Sequence, residues 1–200
     1  MDRLQTVFAG TLMPHKGAHT AVEAIGRLMR DNPRLPVTLT VLGVGPAEYE
    51  ERLRKLVNEW QISDMVSFHK PIPRSYMPAF LAQFDALVLP STYEEPMARI
   101  SQEAMASNLA LVGTLTGGTK EILVDGQNGL AFKPEDAASL AVQLQRLAQD
   151  RNLRERLIRN GWQTVSSRFT ISRMVDEIEA YLAEVIGRSE AQPHISVDAA

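Results

Sequence analysis

The sequence predicts an α/β domain: a six-stranded parallel sheet with helices on both faces and further helices packed on it toward the C-terminus. Three observations predict it. Short apolar runs alternate with stretches of helical periodicity six times along the chain. Each run stops at glycine, proline or a serine–threonine turn, the punctuation of a strand handing over to a loop. The last third of the chain then carries three helical stripes with no strand between them. Strand–helix alternation needs crossover connections, and these give a parallel sheet covered on both sides. The 200 residues suffice for one such unit and its core. The expectation is one Rossmann-like domain over residues 1–186, followed by a flexible tail, 187–200, that has few apolar anchors.

Bulk properties narrow the function classes. Hydrophobic residues make up 44% and charged residues 22%, the balance of an ordinary globular protein. A net charge of −3 offers no basic excess for nucleic acid or an anionic membrane. There is no cysteine, which removes disulfides and thiol chemistry and fits a reducing compartment. No apolar run approaches membrane-spanning length. The first residues, Met1-Asp2-Arg3-Leu4, read directly into a strand rather than as a signal peptide. The expected location is cytoplasmic.

The elements follow in order. Gln5 to Ala9 is the first strand, and it ends at Gly10-Thr11. Gly17 precedes a helix to about Met29, with Val22, Ile25 and Met29 at helical spacing. Val37 to Leu42 alternates and is rich in β-formers, so it is the second strand. Pro46 suits the first turn of a helix to Trp60, whose stripe is Tyr49, Leu53, Leu56, Val57 and Trp60. Val66 to Phe68 is a short third strand, and His69 to Pro73 a proline-bounded loop. Ser75 to Phe84 reads as a helix that admits Pro78 in its first turn. Ala86 to Leu89, Leu109 to Gly113 and Leu130 to Phe132 are strands four to six. Between the fifth and sixth lie the glycine pair Gly117-Gly118, a helix to about Val124 and the turn Asp125-Gly126-Gln127-Asn128-Gly129. The closing stripes centre on Leu144, Leu157 and Ile178.

The informative stretch is Val88 to Glu103. A strand stops at Pro90-Ser91, a polar loop follows, and Ile100 to Ser107 reads as helix. In an open parallel sheet, ligands lie beyond the carboxyl ends of the strands at such a place. Glu95 in the loop and Glu103 in the first helical turn would face one crevice. Carboxylates accept paired hydrogen bonds from neighbouring hydroxyls, as on a sugar or a ribose. Free amides from Ala98 to Ile100 would suit an anion such as a diphosphate. Lys16, between a strand end and a helix start, also suits an anion. Gly43-x-Gly45 could open a dinucleotide fingerprint, but Glu48 stands where the third glycine belongs.

Glu95-x₇-Glu103 after Pro-Ser, then Ala104-Met105-Ala106 and later Gly117-Gly118-Thr119-Lys120-Glu121, resembles the retaining glycosyltransferases of the GT-B fold. The likeness is to their C-terminal, donor-binding half and runs from about Thr6 to Ile186. It implies a nucleoside-diphosphate sugar as donor, no cofactor and an acceptor on a separate N-terminal half. Peripheral membrane association would come through that half alone. It implies that Glu95 holds sugar hydroxyls beside the Met97 and Ala98 amides, and that Glu103 holds the ribose. Lys16 and the Arg99 and Ile100 amides would face the diphosphate, with Lys16 and Glu95 the catalytic candidates. It also implies that the base lies near the His69–Pro73 loop. The family pattern Gly-Arg-x₄-Lys-Gly is matched by Gly10, Lys16 and Gly17, with Thr11 in place of the arginine. Alanine at 98 stands where the family usually has glycine. No Asp-x-Asp occurs, so no dedicated metal site is expected. A non-catalytic nucleotide-sugar module and a dinucleotide-dependent oxidoreductase remain open as alternatives.

Overall fold

The computed structural model describes residues 3–94 and 96–190, with side chains to residue 186. The sheet has six parallel strands in the order β3-β2-β1-β4-β5-β6. These are β1 (Leu4–Ala9), β2 (Val37–Leu42), β3 (Val66–His69), β4 (Ala86–Leu89), β5 (Ala110–Thr114) and β6 (Gly129–Phe132). The chain winds outward from β1 to β3, then returns to lay β4 on the other side of β1. That reversal opens a crevice at the carboxyl ends of β1 and β4.

The burial pattern explains the strand sequences. β4 and β5 are buried at every position, so they read as unbroken apolar runs rather than alternating ones. Ala86 and Val88 join one core cluster, and Leu87 and Leu89 join the other, because successive side chains point to opposite faces. On the first face lie α1 (Ala18–Asp31), α2 (Ala47–Glu59) and α6 (Ala137–Gln149), packed around Ile25, Leu39, Leu53 and Leu140. On the second lie α3 (Met77–Leu81), α4 (Arg99–Ala106), α5 (Thr119–Ile122) and α7 (Arg151–Arg168), around Leu87, Met105, Leu111 and Ile122. Asp136 and Asp150 cap α6 and α7 through the Ser139 and Leu153 amides.

Four readings shift. The helix expected from Ser75 to Phe84 is a 3₁₀ turn, Arg74–Tyr76, followed by the five-residue α3. Its end tightens through Gln83 N–H to the Phe80 carbonyl and Phe84 N–H to that of Leu81. β5 starts at Ala110 rather than Leu109, because Asn108 takes a left-handed φ of 62° to close α4. α4 begins at Arg99, so Glu103 lies one turn deeper than the first turn. The third closing helix, α8 (Ile171–Glu190), keeps its stripe exposed, with Met174, Ile178, Tyr181 and Leu182 facing solvent. The expected tail lies outside the described residues from 191 onward. No described helix is long and apolar enough to cross a membrane.

Candidate functional site

Three strand-to-helix loops meet over the crevice, and tight packing fixes each one against the next. Gly17 holds a φ of 74°, and a Cβ there would collide with the Pro90 carbonyl. The loop between β1 and α1 is therefore seated on the end of β4. Thr92 N–H donates to the His15 carbonyl at 2.9 Å across the same seam. Below it, the Thr114 hydroxyl donates to the Ser91 carbonyl at 2.6 Å, tying the end of β5 to the end of β4. Gly118 abuts the next loop so closely that a Cβ would collide with the Met97 amide nitrogen.

The predicted site residues fall in two groups. Gly10, Thr11 and Ile100 line a cavity of about 280 Å³ together with Gly43, Val44, Pro71, Ile72 and Met77. The cavity stands over the carboxyl ends of β1 and β2, beside α4. Pro71 and Ile72 in its wall belong to the loop that the sequence placed near a base, and Met77 is the first residue of α3. His69, outside this wall, packs edge-on against Phe80 at 6.2 Å. Lys16 stands in the β1–α1 loop, where its ammonium donates to the Tyr93 hydroxyl at 3.0 Å and lies 5.0 Å from the ring centroid. His15 meets the same ring edge-on at 4.6 Å.

Met97, Ala98, Arg99 and Ile100 lead into α4, whose start has no side-chain cap. Ala98 turns its carbonyl inward, where it accepts from the Ser101 amide at 2.9 Å and from the Ser101 hydroxyl at 2.6 Å. Among the described residues, no acceptor meets the Ala98, Arg99 and Ile100 amides. Unsatisfied amides at a helix start carry partial positive charge and suit an anion. Glu95 lies outside the described residues. Glu103 is half-buried, with its carboxylate 3.7 Å from the Arg74 guanidinium.

Sequence reasoning missed three partners. Glu94 accepts from the Gly117 amide at 2.7 Å and from the Lys120 ammonium at 3.1 Å, which bridges the 92–98 loop to the glycine pair. Lys120 beside it, together with the Gly117 bond, holds its carboxyl below the usual carboxylate range. Tyr93 is one partner of Lys16, and among the described residues Arg74 is that of Glu103. No local pattern signals any of these, because each joins segments remote in sequence. Gly43 and Gly45 also receive a packing role. A Cβ on either would strike the Gly10 or the Leu12 carbonyl, so these glycines seat one loop on another. That accounts for them without a dinucleotide.

The family model for glycosyl transferases group 1 matches residues 1–164. The glycogen synthase of Mycobacterium tuberculosis (strain ATCC 25618 / H37Rv) is 30% identical over 196 residues, covering 96% of this chain and 46% of that protein. The D-inositol 3-phosphate glycosyltransferase of Stackebrandtia nassauensis is 30% identical over 200 residues, covering 98% and 45%. The chain thus spans a little under half the length of these relatives. Among solved structures, the C-terminal domain of a glycosyl transferase group 1 family protein (LpcC) from Francisella tularensis matches with a TM-score of 0.77 at 26% identity. That match covers 84% of this chain and 87% of the domain. Anabaena Alr3699/HepE, solved in complex with UDP-glucose, shares the fold with a TM-score of 0.83 at 22% identity, covering 92% and 49%. This chain belongs to the glycosyl transferases group 1 family and has the Rossmann-like fold of the C-terminal domain of such a protein.

Proposed function

We propose that the chain is the donor-binding half of a retaining glycosyltransferase that takes its sugar from a nucleoside diphosphate. One observation carries this reading. The cavity over the carboxyl ends of β1 and β2 opens beside the uncapped start of α4, which lies within the family motif. The base and ribose occupy the cavity and its rim near Glu103. The diphosphate meets Lys16 and the Arg99 and Ile100 amides, and Glu95, Met97 and Ala98 hold the sugar.

The reaction breaks the bond between the anomeric carbon and the diphosphate, so negative charge grows on the leaving group. Donors already aimed at that charge stabilise the transition state without reorganising. Lys16 is held by Tyr93 at the mouth of the site, so its charge is pre-placed. Departure is from the front face, assisted by the diphosphate, and no residue acts as nucleophile. The acceptor belongs to the other half of the enzyme. The exposed apolar stripe of α8 is the surface offered to that half, and any membrane contact is made there rather than here. The protein works in the cytoplasm without a cofactor.

Calorimetry tests the assignment. Glu103→Ala weakens nucleoside diphosphate and nucleotide sugar alike, whereas Glu95→Ala weakens only the gain contributed by the sugar. Loss of a hydrogen bond to a charged group costs roughly 1.5–3 kcal/mol. Equal losses for both ligands in both variants contradict the placement.

A further inference from the structure

The cavity has two walls that come from separate segments. Pro71, Ile72 and Met77 form one, and Ile100 stands in the other. Arg74 lies one turn before Met77, and Glu103 lies one turn after Ile100. Their side chains meet at 3.7 Å, so an ion pair bridges the two walls at the cavity's rim. Among the described residues, Arg74 is the only partner of the Glu103 carboxylate. Arg74 itself is exposed, with 72% of its side chain accessible against 34% for Glu103. An exposed pair at this distance does little for folding stability. A guanidinium 3.7 Å away still biases a carboxylate toward it by charge, without the paired hydrogen bonds of a bidentate fork.

We propose that Arg74 is a positioning residue that holds Glu103 oriented toward the ribose diol of the donor, and so sets the site's preference for ribonucleotides. The inference rests on the donor-binding reading above and goes further, because it gives the diol preference to a residue outside the family motif. A carboxylate accepts from two neighbouring hydroxyls only when both oxygens face them. With one carboxylate oxygen drawn toward Arg74, one orientation of Glu103 is favoured before the ligand arrives. Without Arg74 the side chain samples several rotamers, and ordering it falls to the ligand. The consequence is specific to the diol: the base and diphosphate contacts are untouched.

The test titrates the whole chain with uridine, guanosine and adenosine diphosphates. The tightest of the three is then compared with its 2′-deoxy form on wild type, Arg74→Ala, Arg74→Lys and Glu103→Gln. Loss of one hydroxyl bonded to a charged acceptor weakens binding about tenfold or more in wild type. Arg74→Ala is expected to reduce that ratio at least about threefold with an unchanged melting temperature. Arg74→Lys recovers part of it, because an ammonium keeps the charge on a head of shorter reach. If Glu103→Gln abolishes the ratio and Arg74→Ala leaves it intact, Arg74 does not position Glu103, although the donor-binding reading stands. If Arg74→Ala weakens both forms equally, the guanidinium touches base or phosphate, and the positioning role is overturned. If no nucleoside diphosphate binds the wild type, the donor-binding reading itself fails and takes this inference with it.

Discussion

Thr11 lines the cavity where the family pattern carries an arginine, so Lys16 is the cation of that loop. A hydroxyl donates one hydrogen bond but brings no charge and no second prong. Weak native binding of nucleoside diphosphate follows, and Lys16→Ala nearly abolishes it. Thr11→Arg restores the second cation. A charge-assisted contact worth about 1.5 kcal/mol tightens binding roughly tenfold at low salt. The gain shrinks as salt rises, because the crevice is open to solvent. Calorimetry in a salt series measures it, and a normally folded Thr11→Arg variant with unchanged affinity places Thr11 away from the phosphates. The motif singled out Lys16 and Glu103 as candidates. Their partners were not legible. Tyr93 lies 77 positions from Lys16, and only the fold brings them together. Glu94 is adjacent to the motif acid Glu95, yet nothing local separates a surface acid from one that bridges to Gly117 and Lys120.

At the scale of elements, loops seated on one another hold the site. Gly118 has an ordinary φ of −66°, so alanine there fits the backbone and fails only for space. The obstacle is the Met97 backbone, which cannot swing away as a side chain would. Overpacking of this kind costs roughly 1–3 kcal/mol, which lowers the melting temperature of a domain this size by roughly 2 °C or more. Gly118→Ala also displaces the 96–98 segment, so ligand binding falls with stability. A second joint, between α1 and α2, is sensitive to pH. The Tyr49 hydroxyl accepts from the His19 amide at 3.4 Å and lies 2.8 Å from His19 Nδ1. Burial, with help from Arg52, holds the imidazole below its usual 6.5, and burial also raises the Tyr49 phenol. The folded state thus takes up its proton at lower pH than the unfolded chain does. That contribution to stability is present above pH 6.5 and is lost as pH falls from there through the folded value. Melting temperatures between pH 8 and 5 should fall less steeply in His19→Gln, and parallel slopes in both proteins exclude His19 as the source. Strand positions were legible because buried strands are continuous apolar runs. The 75–84 segment was misread as one helix with Pro78 in its first turn, whereas the fold holds a 3₁₀ turn and five helical residues there.

On the function proposed above, the whole molecule is one half of a working enzyme. α8 extends a stripe of Ile171, Met174, Ile178, Tyr181 and Leu182 into solvent, and the chain covers 46% of a curated relative. A buried side chain of this kind is worth roughly 1.5–3 kcal/mol, so an uncovered stripe is a substantial unused surface. Purified alone, the chain folds and transfers no sugar to any acceptor; clear transfer by the monomer contradicts this. The six-stranded parallel sheet was legible in the strand–helix alternation, which leaves few topologies open. The exposure of α8 was not, because an amphipathic stripe looks the same whether it meets its own core or another domain. Donor binding by this chain underlies every role assigned to the site. Calorimetric titration with UDP-glucose, GDP-mannose and ADP-glucose, each beside its nucleoside diphosphate, measures it on wild type, Lys16→Ala and Glu103→Ala. Saturable binding to at least one pair is expected, nearly lost in Lys16→Ala and weakened about tenfold or more in Glu103→Ala. Binding to none of them, or binding that both variants leave unchanged, contradicts the proposed function.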